Sequence, residues 1–213
     1  MTTATLVALD IAILPPADVM ARAVRLSAGL SEHPSASGRL LEADDDDILR
    51  LDGDHLPHIT LTQHYVRESD LELAFARVSE VLERQRPLQI HVTGSTRNRR
   101  TVWMSVTRTP DLLDLHGRLM AALRAIERQV GGPRAFYDGD ARPRDVQWVA
   151  RFRRQASSGA FTPHITLGYT DVTGDVTPPI EPLSFEATTV AACHLGRFCT
   201  CRRVLRAWNL VRA

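Results

Sequence analysis

Apolar residues change period along the chain, and the changes mark out its elements. Thr5–Leu14 is apolar almost throughout, broken by Asp10, and predicts a buried strand closed by Pro15-Pro16. Ala17–Leu30 carries Val19, Ala23, Val24 and Leu30 at helical spacing. Residues 31–54 turn polar, and the run of Glu42 and Asp44–Asp47 reads as a solvated loop, because consecutive acids repel and point different ways. His58–Val66 predicts a strand. Ser69 and Glu72 have the spacing of a capping box for a helix with Leu71, Phe75, Val78 and Leu82 on one face. Leu88–Thr93 and Thr101–Thr107 flank Gly94–Arg100 as a hairpin. Thr109-Pro110 opens a helix striped by Leu112, Leu115, Leu119, Leu123 and Ile126, which Gly131-Gly132-Pro133 ends. Residues 134–160 read as irregular and Arg-rich, with a short helix near Val146–Arg154. Strand-like Thr162–Tyr169, Leu183–Leu195 and Thr200–Leu210 follow. The order β-α-β-α-β-β-α-β-β-β predicts an α+β fold.

One pentapeptide occurs twice, as Pro57-His58-Ile59-Thr60-Leu61 and Pro163-His164-Ile165-Thr166-Leu167. A chance repeat in a chain of this length is on the order of 1 %, so an internal duplication is the better explanation. On a strand, residues i and i+2 face the same way, so each His points alongside its Thr while Ile and Leu face the core. Two such strands related by a pseudo-twofold axis bring two imidazoles and two hydroxyls around one cleft. Histidine titrates near pH 6.5, so one ring can serve as neutral base and the other as charged acid. Threonine hydroxyls can donate to anionic phosphoryl oxygens without adding charge. This set suits in-line cleavage of a phosphodiester, with no metal and no cofactor required.

Composition narrows the chemistry further. Among 213 residues there are 26 basic side chains, and all are arginine. Without lysine there can be no Schiff base, no adenylated-lysine ligase intermediate and no phosphate-loop lysine. Residues 1–86 carry 8 Arg against 15 acidic residues, whereas residues 87–213 carry 18 Arg against 10. A basic second half is compatible with an anionic partner, and equally with two complementary lobes. No apolar run reaches the roughly 18 residues of a membrane span, and Met1–Thr5 lacks the basic start of a secretory signal. The cysteines, Cys193, Cys199 and Cys201, are odd in number, so a reduced, cytoplasmic protein is expected rather than a disulfide scaffold. With His194 they also offer four soft zinc ligands, but the pattern reads better as a hairpin with small cysteines facing inward. His55 and His58 lie three apart without a third ligand nearby.

The doubled His-x-Thr, on strands 106 residues apart, resembles the two-histidine phosphoesterase superfamily, in its branch of 2′,5′ RNA ligase-like proteins and RNA 2′,3′-cyclic phosphodiesterases. Gly94 through Trp103-Met104 resembles the family's hairpin between the motifs, and Leu183–Leu210 its terminal hairpin. The resemblance implies one bilobal unit over residues 1–213: two pseudo-twofold-related lobes of antiparallel sheet, helices on the outer faces, and a central cleft. It implies His58, Thr60, His164 and Thr166 as the catalytic set. Family members often carry an aromatic two residues beyond the motif's Leu. Tyr169 keeps it, while Gln63 stands at the matching position, leaving any stacking in the first lobe to His64 or Tyr65, or to neither. Trp103 and Arg100, the latter at a hairpin tip with Arg97 and Arg99, complete the expected substrate contacts. The segment 131–160 is longer than a minimal member needs, and Arg134, Arg142, Arg144, Arg151, Arg153 and Arg154 would suit a phosphate-rich substrate; a solvated connector fits as well.

The expected activity is metal-independent hydrolysis of a 2′,3′-cyclic phosphate on an RNA end or a nucleotide, giving a 2′-phosphate, by a monomer without membrane attachment. His164 is the expected base and His58 the expected acid. The competing expectations are a nucleotide- or RNA-binding module without turnover, and an ATP-independent 2′,5′ RNA ligase using the same cleft in reverse.

Overall fold

The computed structural model describes residues 5–31, 49–98, 100–157, 159–169 and 179–211. The acidic run Asp44–Asp47 lies outside them. Twelve principal elements follow in order: β1 (Leu6–Leu14), α1 (Ala17–Ser31), β2 (Ile59–Arg67), α2 (Leu71–Leu82), β3 (Leu88–Asn98), β4 (Thr101–Val106), α3 (Pro110–Leu123), α4 (Pro143–Gln155), β5 (His164–Tyr169), β6 (Leu183–Ala187), β7 (Thr189–Leu195) and β8 (Cys201–Asn209). No described helix is long and apolar enough to cross a membrane.

All eight strands join in one antiparallel sheet ordered β6-β3-β4-β5-β2-β1-β7-β8, as the α+β reading requires. The sheet divides at its centre into two four-stranded halves. β2 and β5, the strands that begin with the repeated pentapeptide, meet there through Ile59 opposite Ile165. These two isoleucines hold the same place in the two motifs, so the pseudo-twofold axis passes between them. The symmetry extends outward in detail. β1 lies against β2 with Asp10 opposite Gln63 and Ala12 opposite Thr60, and a bulge falls between Ile11 and Ala12. β4 lies against β5 with Thr101 opposite Tyr169 and Trp103 opposite Thr166, and a bulge falls between Val102 and Trp103. Each bulge skips the leucine of its motif, Leu61 in one half and Leu167 in the other.

The helices close the core over this frame. α1 packs on β5 and α3 on β2, while α2 packs on α3. Ile11, Ile13, Ile59, Leu61, Met104, Ile165 and Leu167 are fully buried, as are Leu112, Leu115 and Leu119 of α3. Each such side chain stabilises the fold by about 1.5–3 kcal/mol on burial. Thr109 caps α3 by accepting from the Leu112 amide, with Pro110 in the first turn, as its sequence predicts.

Four local expectations are corrected. Ser69 and Glu72 form no capping box: Glu68–Asp70 make a 3-10 turn, α2 starts at Leu71, and its cap residue Asp70 makes no side-chain cap bond. α3 ends near Leu123 rather than at Gly131, because the chain turns there so that the Arg128 amide can donate to the Tyr65 carbonyl at 2.7 Å. Residues 143–155 form a full helix, α4, started by Pro143 and by Asp145 accepting from the Arg142 amide at 3.0 Å. The stretch Leu183–Leu195 is two strands, not one. Its first part pairs with β3 and its second with β1, so the chain crosses from one half of the sheet to the other at Thr188.

Candidate active site

The motif histidines sit where the chain enters the two central strands, and each is fixed in the same way. His58 Nδ1 lies 2.8 Å from the Leu56 carbonyl, and His164 Nδ1 lies 2.8 Å from the Thr162 carbonyl, the residue two positions upstream in both cases. A carbonyl only accepts, so both rings carry the proton on Nδ1 when neutral, leaving Nε2 to work on a substrate. Leu56 is itself anchored, its amide donating to the Cys201 carbonyl at 3.0 Å. With Ile59 and Ile165 in the core, His58, Thr60, His164 and Thr166 all line one cleft of about 500 Å³.

The two halves of the cleft differ in chemistry. In the first, Asp10 is fully buried; its Oδ2 accepts from Thr60 Oγ1 at 2.8 Å and Gln63 Nε2 at 2.9 Å, and lies 3.6 Å from His58 Nε2. Burial pushes the Asp10 carboxyl upward, while His58, Gln63 and Thr60 pull the other way. In the second half, Thr101 occupies the place of Asp10 and Trp103 that of Ala12. The Trp103 ring lies 5.5 Å from that of His164. Burial holds the His164 imidazole below its ordinary value of 6.5; the Thr162 carbonyl opposes this and the nearby His58 adds to it. Thr166, paired with Trp103 through the backbone ladder, lines the cleft with its side chain.

A third wall comes from α4 and the turn after β7. Arg142, Arg144, Trp148 and Phe152 face the cleft, with Tyr169 and Phe198 beside them. Arg142 and Asp145 form a buried bidentate pair at 2.6 and 2.9 Å. The Arg142 guanidinium lies 3.7 Å over the Phe198 ring, and the Asp145 carboxylate accepts from the Phe198 amide at 3.0 Å. This pair holds Phe198 and Cys199 at φ of 64° and 55°, a conformation that side chains other than glycine rarely adopt. The rings of Phe198 and Tyr169 lie 5.1 Å apart.

Of the residues singled out in the sequence, Tyr169 and Trp103 join the four motif residues at the cleft, and Tyr65 and Arg100 are not among its lining. Tyr65 is fully buried, donating its hydroxyl to the Val146 carbonyl at 3.0 Å, with its ring edge-on to Phe136. His64 is equally committed to structure. Its Nδ1 lies 2.8 Å from Glu127, whose carboxyl burial would raise but which His64 and Arg153 together hold at about 2. Neither His64 nor Tyr65 lines the cleft, and Gln63 supports Asp10. Of the six insertion arginines, Arg142 and Arg144 reach the cleft, whereas Arg153 braces Glu127 and the Met120 carbonyl.

The cysteines do not converge with His194. Cys193 and Cys201 are packed with Ala12 and Ala191, and His194 Nε2 turns to the Ala135 carbonyl at 2.9 Å. His55 pairs with Asp52 and Arg202 rather than with His58. Asp10, His58 and Cys201 do offer one ligand atom each within 4.8 Å. Burial pushes the Cys201 thiol well up, and Asp10 Oδ2 already accepts from two donors, Thr60 and Gln63. Asp10, Trp148 and Phe198 are cleft or supporting residues that sequence reasoning did not select. Only Asp10 left a trace there, as a lone charge inside an apolar strand.

The fold has solved counterparts. LigT of E. coli, crystallised with 3′-AMP, superposes with a TM-score of 0.57 at 22 % identity over 97 % of this chain and 99 % of that one. TT0787 of Thermus thermophilus gives 0.56 at 16 % identity over 95 % and 97 %. A structure described as a phosphoesterase gives 0.52 at 21 % identity over 99 % and 100 %. No curated protein matches the sequence. The sequence profile of the 2′-5′ RNA ligase superfamily matches residues 42–204. With both His-x-Thr motifs facing one cleft across a pseudo-twofold axis, the chain belongs to this superfamily of two-histidine phosphoesterases.

Proposed function

We propose that the protein hydrolyses a 2′,3′-cyclic phosphate, on an RNA end or a free nucleotide, to a 2′-phosphate. The observation that carries this reading is the pair of histidines fixed identically through Nδ1 on opposite sides of one axis. In-line displacement at phosphorus needs a base on the entering oxygen and an acid on the departing one, on opposite sides of the phosphoryl group. His164, held below its ordinary value, is the neutral base. Its Nε2 takes a proton from water as the water oxygen bonds to phosphorus. The P–O3′ bond breaks, and His58 Nε2 passes its proton to O3′. Water supplies the oxygen gained by the phosphate, and the two histidines end with their protons exchanged.

Thr166 donates to a non-bridging oxygen, and Thr60 does so once the phosphate draws its hydroxyl from Asp10. Tyr169 and Trp103, which line the cleft, stack on a base or ribose in this reading. The nucleotide bound by LigT supports a nucleotide-like ligand for this cleft. The test is incubation with 2′,3′-cyclic mononucleotides and a cyclic-ended RNA, with product regiochemistry read by NMR. A 2′-phosphate product supports the reading. Binding without product over hours, or joining of a cyclic end to a 5′-hydroxyl strand in place of hydrolysis, would replace it.

A further inference from the structure

We propose that Asp10 gives the two-fold histidine pair its direction: its carboxylate favours the charged form of His58 across 3.6 Å and orients Thr60, making the first half of the cleft the proton-donating half. The assignment rests on the acid–base reading above and assigns its polarity to a residue outside the two motifs. Backbone register places Asp10 and Thr101 at equivalent positions, opposite Gln63 and Tyr169. The frames match down to the bulge, so the difference between the halves lies in side chains alone. One half carries a buried carboxylate and the other an uncharged hydroxyl. Two titratable groups in matched frames but unlike environments are how a site acquires distinct acid and base roles.

The Asp10 Oδ2 accepts from Thr60 and Gln63 and stands 3.6 Å from His58 Nε2, while its Oδ1 is buried with no hydrogen-bond partner. A carboxylate buried this way is costly unless a cation or a proton balances it. His58 is the cation within reach. The other titratable groups facing the pair are His164 from β5, Cys193 opposite Asp10 on β7, and Cys199 and Cys201, whose thiols burial pushes well up and keeps neutral. Arg142 and Asp145 on the α4 wall pair with each other. Asp10 acts through His58 and Thr60, so it is a positioning residue.

The experiment is an NMR titration of the His58 and His164 rings in the full chain, wild type against Asp10→Asn and Thr101→Asp, with turnover of 2′,3′-cyclic AMP measured on the same samples. Asparagine keeps the shape and can still accept from Thr60 and Gln63. The expected result is that the His58 ring signals respond to Asp10→Asn while those of His164 do not. The kcat should fall roughly tenfold or more with KM little changed. Thr101→Asp, at a half-exposed position, should raise the His164 midpoint, and it decides the matter if Asp10→Asn does not fold. Unmoved His58 signals in a folded Asp10→Asn, an equal response of both rings, or an unmoved His164 in Thr101→Asp would overturn the proposal. Should the rings respond as expected in a protein that turns over no cyclic phosphate, the coupling stands and the hydrolytic reading falls.

Discussion

The two halves of the sheet share a backbone and differ in what they hang on it. β1–β2 and β4–β5 repeat the same register, the same bulge and the same Nδ1-to-carbonyl bond, but Asp10, Ala12 and Gln63 in one become Thr101, Trp103 and Tyr169 in the other. A duplicated frame fixes where two imidazoles stand, and only the side chains around them can make one an acid and the other a base. One half sets a buried carboxylate beside its histidine, and the other lines the cleft with Trp103 and Tyr169.

Loss of either motif histidine should be the most damaging change. His58→Ala or His164→Ala should each lower kcat by about 10²–10⁴-fold. The double variant should fall far short of the product of the two, because they serve one step. Steady-state rates on a cyclic nucleotide check this.

Next in size is the support of the aromatic half. Arg142 and Asp145 are nearly excluded from solvent, with side-chain exposures of 9 % and 4 %, and they hold Phe198 at positive φ. Asp145→Asn removes the charge that balances the buried Arg142 and should cost about 3–5 kcal/mol in denaturant unfolding.

A subtler difference separates binding from turnover. Trp103→Ala and Tyr169→Ala should raise KM about tenfold with smaller effect on kcat, since stacking contributes about 1–3 kcal/mol per base. Gln63→Ala, which loosens Asp10, should lower kcat and leave KM nearly unchanged.

The smallest effect is on pH. His164 titrates below 6.5 in the folded protein, and protonation removes the base. Activity should therefore persist as pH falls through 6.5 and decline below it, which a pH profile of kcat/KM will read.

The motifs were legible in the sequence because the same five residues recur in the same frame, and strand period then dictates which way each side chain faces. The helices α1 and α3 were legible for the same kind of local reason. What was hidden depended on distant chain. Nothing at Thr188 marks the crossing between sheet halves, because Leu183–Leu195 is strand-like on both sides of it. The ends of α4 were obscured by arginines around a thin apolar face of Val149 and Phe152. Tyr65 looked available because its neighbour Gln63 broke the aromatic pattern, yet α4 and Phe136 cover it completely. Gly168 is set by a contact invisible locally: its φ is +156°, and a Cβ there would lie 2.8 Å from the Leu49 carbonyl.

Acid–base hydrolysis of a cyclic phosphodiester by two symmetry-related histidines is tested by turnover of 2′,3′-cyclic AMP, with chelator present, by wild type and by the His58→Ala, His164→Ala double variant. A 2′-phosphate product is expected from the wild type and none above background from the variant. Full turnover by the double variant would contradict it.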